Sequence, residues 1–192
     1  MNYITFDIET YSPSYLKHID TSEFRTSVVG AYISWIDKYL AFFESEIEDF
    51  LKLLLEADLI VGFNHLWFDF PVLQKYCSYN LSELPSYDLL LEFEKQAGFK
   101  IKLNDLCKAN LTDDIKTDSY QQFKNYHKEN KWFELADYCL NDVRLTENLF
   151  RLIRSGKTLK YFDLHQQKEV LLAKPVASKN QIKVGNLSES IF

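Results

Sequence analysis

Residues 6–10 read Phe6-Asp7-Ile8-Glu9-Thr10, or FDIET, inside the run YITFDIETYSP at residues 3–13. Apolar and polar side chains alternate here and the residue types favour extended backbone, which predicts a strand over residues 2–10. Residues two apart on a strand share a face, so Asp7 and Glu9 are expected to project side by side while Phe6 and Ile8 face the other way. Two carboxylates so placed repel, and at an effective dielectric near 20 and about 4 Å apart the cost is roughly 4 kcal/mol. Such a pair calls for a metal, a proton or an open surface.

Outward from this strand, a Ser/Pro turn at SPS (12–14) is followed by SVVGAYISWI (27–36) and KYLAFFE (38–44), which read as two more strands of a meander. SEIEDFLKLLLEA (45–57) places Ile47, Phe50, Leu51, Leu54 and Leu55 at helical spacing, with Ser45 as its expected cap. DLIVGFN (58–64) suits a buried strand. DFPVLQKYCSY (69–79) reads as a helix with Pro71 in its first turn and Asp69 near the cap. SYDLLLEFEKQ (86–96) and KLNDLCKANL (102–111) read as helices, and residues 112–130 as a polar, Lys-rich surface segment. WFELADYCLNDVRLTENLFRLIR (132–154) is the clearest helix, with Leu135, Cys139, Val143, Thr146 and Phe150 near one stripe. The order βββαβα followed by helices predicts an α/β fold with a mixed sheet flanked by helices. Neither an internal repeat nor a linker divides the chain. One domain is expected over residues 1–155, followed by a partly ordered C-terminal extension over 156–192.

The chain has 192 residues, 46% of them hydrophobic and 16% aromatic, enough to bury one substantial core. Its net charge of −6 argues against binding nucleic acid through a broad basic face, although carboxylates gathered in an active site would account for part of that charge. Cys77, Cys107 and Cys139 show no CxxC spacing, and His18, His65, His127 and His165 no ligand spacing, so neither a disulfide framework nor a zinc site is expected. A soluble, cytoplasmic protein is expected, since the N-terminus lacks the features of a signal peptide and no apolar run has the length of a membrane span.

Asp7, Glu9, Asp69 and Asp142 fall where one structure could bring them together, and Tyr138 lies one helical turn before Asp142. Their spacings carry a resemblance. FDIET resembles the first motif (DxE), NHLWFD (64–69) the second (Nx3[FY]D) and YCLND (138–142) the third (Yx3D) of the DEDD, or DnaQ-like, 3′-5′ exonucleases. The chain is similar over residues 2–153 to the tyrosine branch of that superfamily, which includes the proofreading domains of DNA polymerases. The histidine branch carries His at the position of Asp137. LNDLCKANL also resembles a segment of such domains, with Thr112 where they have Gly.

The resemblance implies a ribonuclease H-like, mixed five-stranded sheet and a two-metal-ion hydrolysis that releases nucleoside 5′-monophosphates from the 3′ end of single-stranded nucleic acid. Oxygen-only ligands suit hard cations, so two Mg²⁺ or Mn²⁺ ions are implied. Asp7 would be shared between them, with Glu9 and Asp142 on one and Asp69 on the other. Tyr138, with an ordinary pKa near 10, would orient the attacking water. Thr10 and Tyr11 would contact the terminal nucleotide, Asn64 would position substrate, and Phe68 would stack near a base or pack in the core.

Each piece has an ordinary reading as well: a solvent-facing strand acid, a helix cap at Asp69, a surface pair at Tyr138 and Asp142. Lys116, Lys124, Lys128 and Lys131, interleaved with Tyr120, Phe123 and Tyr126, read equally as a track for a single strand or as a solvated face. DNA is the favoured polymer, with a polymerase or another replication or repair protein in trans as partner and no membrane. The alternatives are an exoribonuclease trimming RNA ends and a non-catalytic nucleic-acid-binding module on the same fold.

Overall fold

The computed structural model describes residues 1–11, 20–111, 126–163 and 166–175. The turn at 12–14, His18, Thr112, Lys116, Tyr120, Phe123, Lys124 and His165 lie outside them. β1 (Tyr3–Tyr11) is the middle strand of a five-stranded sheet, flanked by β2 (Arg25–Ile33) on one side and β4 (Leu59–Gly62) on the other. β3 (Lys38–Phe43) and β5 (Ser86–Asp88) form the edges, giving the order β3-β2-β1-β4-β5. β1, β2 and β3 pair antiparallel, while β4 runs parallel to both β1 and β5, so the sheet is mixed.

The alternation along β1 separates two cores. Ile4, Phe6 and Ile8 pack under α1 (Ile47–Leu54), against Phe50, Leu51 and Leu54, and under α2 (Asp69–Leu73), against Phe70 and Leu73. Tyr3 on the opposite face packs with Phe93 of α3 (Leu89–Ala97), Leu106 of α4 (Leu103–Asn110) and Phe150 of α5 (Trp132–Arg154). Fully burying each large apolar side chain contributes about 1.5–3 kcal/mol, so this face alternation largely decides which way the strand sits.

Three local expectations are corrected. Ser45 does not cap α1: it lies in a 3-10 turn, Glu44–Glu46, where the Glu46 carboxylate accepts the Phe43 N–H at 2.9 Å. The helix expected over 69–79 ends early, passing through a 3-10 turn (Gln74–Tyr76) into extended backbone at Cys77. The Gln74 side chain folds the chain back by donating to the Tyr79 carbonyl at 2.8 Å and accepting the Leu81 N–H at 3.0 Å. Residues 86–88, expected to begin a helix, form β5, and Asp88 caps α3 by accepting the Leu90 and Leu91 N–H groups.

After α5, β6 (Leu159–Asp163) and β7 (Gln166–Val170) form an antiparallel hairpin, the described part of the expected extension. Leu159, Tyr161, Val170 and Leu172 join the core, and the Asn110 side chain pairs with both backbone groups of Lys160 at 2.8 and 2.7 Å. Among the described residues, no helix is long and apolar enough to cross a membrane.

Candidate active site

Asp7 and Glu9 share the face of β1 that α5 covers, as the strand period requires. Ligand atoms of Asp7, Glu9 and Cys139 all lie within 4.8 Å of one another. Cys139, on α5, is fully buried; its Sγ accepts the Gly30 N–H at 3.1 Å and lies 3.4 Å from the Asp7 carbonyl oxygen. Gly30 pairs with Asp7 across the sheet, and a Cβ placed on it would come within 2.9 Å of Cys139 Sγ. The missing side chain therefore lets α5 press onto the strand that carries the acids.

Asp69 reaches the same place from beyond β4. The register of β4 against β1 ends at Thr5–Val61, so β1 continues past its parallel neighbour. The Ile8 N–H donates instead to Asp69 Oδ1 at 3.2 Å. Asp69 begins α2 without acting as its side-chain cap; the cap position is Phe68, and the carboxylate is committed to β1.

The loop that delivers Asp69 is organised by Asp88, a buried residue that sequence reasoning did not single out as a site residue. Its carboxylate accepts the Asn64 N–H at 2.9 Å and the Leu66 N–H at 3.1 Å, in addition to capping α3. Asn64 adopts a left-handed backbone (φ 69°), a conformation that Asn tolerates, and its carbonyl accepts the Trp67 and Phe68 N–H groups. His65 is fully buried between the Phe6 and Phe70 rings, and burial lowers its pKa to about 4, leaving the imidazole neutral. Phe68 is half-buried, packed edge-on against Phe24, whereas Trp67 is 70% exposed.

Tyr138 and Asp142 are both half-buried on α5, one turn apart. The helix is locked against rotation by Glu147, a fully buried carboxylate that accepts Tyr3 Oη, Thr5 Oγ1 and Arg151 Nε, each at 2.7 Å. Arg151 continues the network to Tyr32 Oη, which donates to Asp37. Nothing in the hydrophobic pattern marks Glu147, though its spacing to Arg151 is that of a helical ion pair.

The electrostatics identify one cluster. Burial, followed by the charges of Asp69, Glu9 and Asp142, raises the Asp7 carboxyl well above its ordinary value. Burial, then Asp142 and Asp69, does the same to Glu9. Burial raises Asp69 to about 7, with Asp88 adding to the rise, and Asp142 to about 6. Among the described residues, no lysine or arginine forms an ion pair with any of these four acids. Among the described residues no protein cation relieves the repulsion, and an all-carboxylate set of this kind fits hard divalent cations.

Of the remaining candidates, Thr10 is half-buried beyond a register shift between Glu9 and Thr10, and Tyr11 is exposed, with the Arg25 guanidinium 5.6 Å from its ring centroid. Asp137 is exposed and occupies the position of the other branch's histidine. Lys128 and Lys131 lie in and just after a short helical stretch, and Tyr126 packs near Leu135 and Cys139.

No curated protein matches the chain. Among solved structures, it is similar to the family B DNA polymerase from the hyperthermophilic archaeon Pyrobaculum calidifontis, at 18% identity and a TM-score of 0.58. The match covers 80% of this chain and 24% of the polymerase, a likeness of fold. The model of the RNase_H superfamily matches residues 4–154, the span that holds the sheet, the acid cluster and α5, and the chain belongs to that superfamily.

Proposed function

We propose that the chain is a metal-dependent 3′-5′ exonuclease of single-stranded nucleic acid, DNA in preference to RNA, releasing nucleoside 5′-monophosphates. The observation that carries this reading is the gathering of Asp7, Glu9, Asp69 and Asp142, drawn from three separate elements, so closely that the charges of Asp69 and Asp142 add to burial in raising both Asp7 and Glu9. A module that only bound a polyanion would gain nothing from this collection of negative charge.

Mg²⁺ or Mn²⁺ held by these four carboxylates would supply Lewis-acid stabilisation of the phosphoryl oxygens and lower the pKa of an attacking water. Tyr138 would orient that water through a hydrogen bond at its Oη, a positioning role. Asp142, one turn on, is held beside it by the Glu147 anchor. Thr10 and Tyr11 lie just past Glu9 on the same strand, where they would meet the terminal nucleotide, and Asn64 and Phe68 shape the loop on the Asp69 side. Tyrosine at position 138, with Asp at 137, supports the tyrosine branch.

The test is incubation with 5′-labelled DNA and RNA single strands, with and without Mg²⁺ or Mn²⁺, beside Asp7→Ala. Stepwise metal-dependent shortening from the 3′ end, faster on DNA and absent in the variant, is expected. Shortening of RNA alone assigns an exoribonuclease; no shortening of either polymer removes the enzyme reading.

A further inference from the structure

Three tyrosine rings, one from each of three neighbouring strands, meet in series under the second half of α5. Tyr3 of β1 lies 6.0 Å from Tyr32 of β2, and Tyr32 lies 4.8 Å from Tyr39 of β3, centroid to centroid. Each ring carries an arginine of α5: Arg154 at 4.9 Å over Tyr3, Arg151 at 5.3 Å over Tyr32 and Arg144 at 5.7 Å over Tyr39. The arginines are all exposed, whereas Tyr3 and Tyr32 are buried. A ring beneath a guanidinium restricts the long side chain, so its N–H groups meet a ligand with less ordering left to do.

Arg151 is committed to Glu147 and Tyr32 Oη. Among the described residues, neither Arg144 nor Arg154 forms an ion pair. Helix polarity explains part of this arrangement, because cations in the last turn face the negative end of α5. It does not explain Arg144, which stands more than two turns before the helix end. The row is also remote from the acids. Tyr3 and Asp7 share a face of β1 about 13 Å apart, and Arg154 lies about 18 Å past Asp142 along α5.

We propose that this arginine face of α5 is a docking surface for an acidic segment of another protein, whose spaced carboxylates engage Arg144 and Arg154. In a chain of net charge −6 a cationic face is a local exception, and it selects a partner of opposite charge. Arginine and tyrosine together are the residues that dominate the binding energy of protein interfaces. Guanidinium groups hold carboxylates in bidentate fashion, which adds geometric selectivity to charge. The exposed Asp37, which accepts Tyr32 Oη at 2.7 Å, stands within the row; it would repel a continuous phosphate backbone but leaves room for spaced carboxylates. Its neighbour Ile36, 47% exposed in the turn between β2 and β3, offers an apolar contact that a peptide side chain can use and a sugar-phosphate chain does not. This surface goes beyond the nuclease reading and does not depend on it.

The test is fluorescence anisotropy of a labelled peptide of Asp-Asp-Leu repeats, beside an Asn-Asn-Leu peptide and a labelled oligothymidylate, all in chelator so that nothing is cut. Wild type is compared with Arg144→Gln, Arg154→Gln, Arg144→Lys and Lys95→Gln, with melting curves to confirm folding. Lys95→Gln removes the same charge from α3, outside this face. Each arginine-to-glutamine variant is expected to weaken binding of the acidic peptide roughly 5- to 30-fold, and Arg144→Lys to recover only part of the loss. Lys95→Gln is expected to leave binding unchanged, and the Asn-Asn-Leu peptide to bind at least about tenfold more weakly than the acidic one. Failure of the wild type to bind the acidic peptide overturns the proposal, as does undiminished binding by the folded glutamine variants. A loss matched by Lys95→Gln reduces the effect to net charge and overturns it too. Oligothymidylate binding that falls in the same variants while peptide binding stays intact makes the face a phosphate track, and equally overturns it.

Discussion

Without divalent cations the acid cluster is expected to destabilise the fold that builds it, and Asp69→Asn isolates the effect. Asp69 is 4% exposed, and its carboxyl is raised from 3.8 to about 7. A carboxyl whose pKa is higher in the folded than in the unfolded chain carries no penalty below about pH 4, where it is protonated in both states. The penalty grows through the interval and is complete above about pH 7, where the folded chain must hold the charge. Three pH units at about 1.36 kcal/mol each set a ceiling near 4 kcal/mol. For a chain of this size that corresponds to roughly 8–16 °C in melting temperature. Asn keeps an oxygen for the Ile8 N–H, so the charge is removed and the contact retained.

The assay is thermal unfolding by circular dichroism in chelator across about pH 5 to 8, then with Mg²⁺ or Mn²⁺ added. Asp69→Asn should melt several degrees above the wild type near pH 8, and the margin should shrink as pH falls toward 5. Added cation should raise the wild type more than the variant and close the gap. Equal or lower melting of the variant near pH 8 in chelator would refute the claim that the cluster holds unrelieved charge.

Tyr138→Phe should lower the turnover of a single strand by roughly 10- to 100-fold under saturating metal, far less than Asp7→Ala, because an orienting hydrogen bond is lost while the acids remain; equal losses in steady-state assays would contradict the orienting role. Gly30→Ala should cost about 1–3 kcal/mol in urea unfolding, since its Cβ would crowd Cys139 Sγ at 2.9 Å and the Cys139 backbone at 3.2 Å. The same variant should lose activity beyond its stability loss, because the displaced helix is the one that carries Tyr138 and Asp142.

The parts of this molecule that were legible in its sequence are those where a long periodic pattern and burial agree. β1 shows its two faces because Ile4, Phe6 and Ile8 alternate with polar residues, and α5 shows its buried stripe over many turns. That the acids of the candidate site stand apart was legible for a different reason: charge placed inside an apolar pattern conflicts with folding, and the structure gathers those charges in one place. β5 was not legible because three residues are too short to show alternation, and its Ser-Tyr-Asp runs directly into an apolar helix. The Asp before that run was a readable cap signal, but nothing local could show that the same carboxylate also holds Asn64 and Leu66. Gln74 stopped α2 through contacts several residues away, and Glu147 found Tyr3 and Thr5 across almost the whole chain. Partners so remote have no footprint in a window of neighbouring residues.

The Glu147 anchor joins residues separated by 144 and 142 positions, which makes it among the most distant contacts in the chain. During synthesis β1 to β5 and α1 to α4 leave the ribosome first, carrying Asp7, Glu9 and Asp69 but no α5. The nascent chain thus holds an incomplete set of acids, with the face of β1 beneath α5 still uncovered. Only when the late helix arrives and Glu147 captures the two hydroxyls does Asp142 take its place. On the proposed nuclease reading, the timing of assembly would itself be a safeguard, because a chain interrupted before residue 132 lacks both Tyr138 and the last carboxylate and would have no complete centre with which to cut.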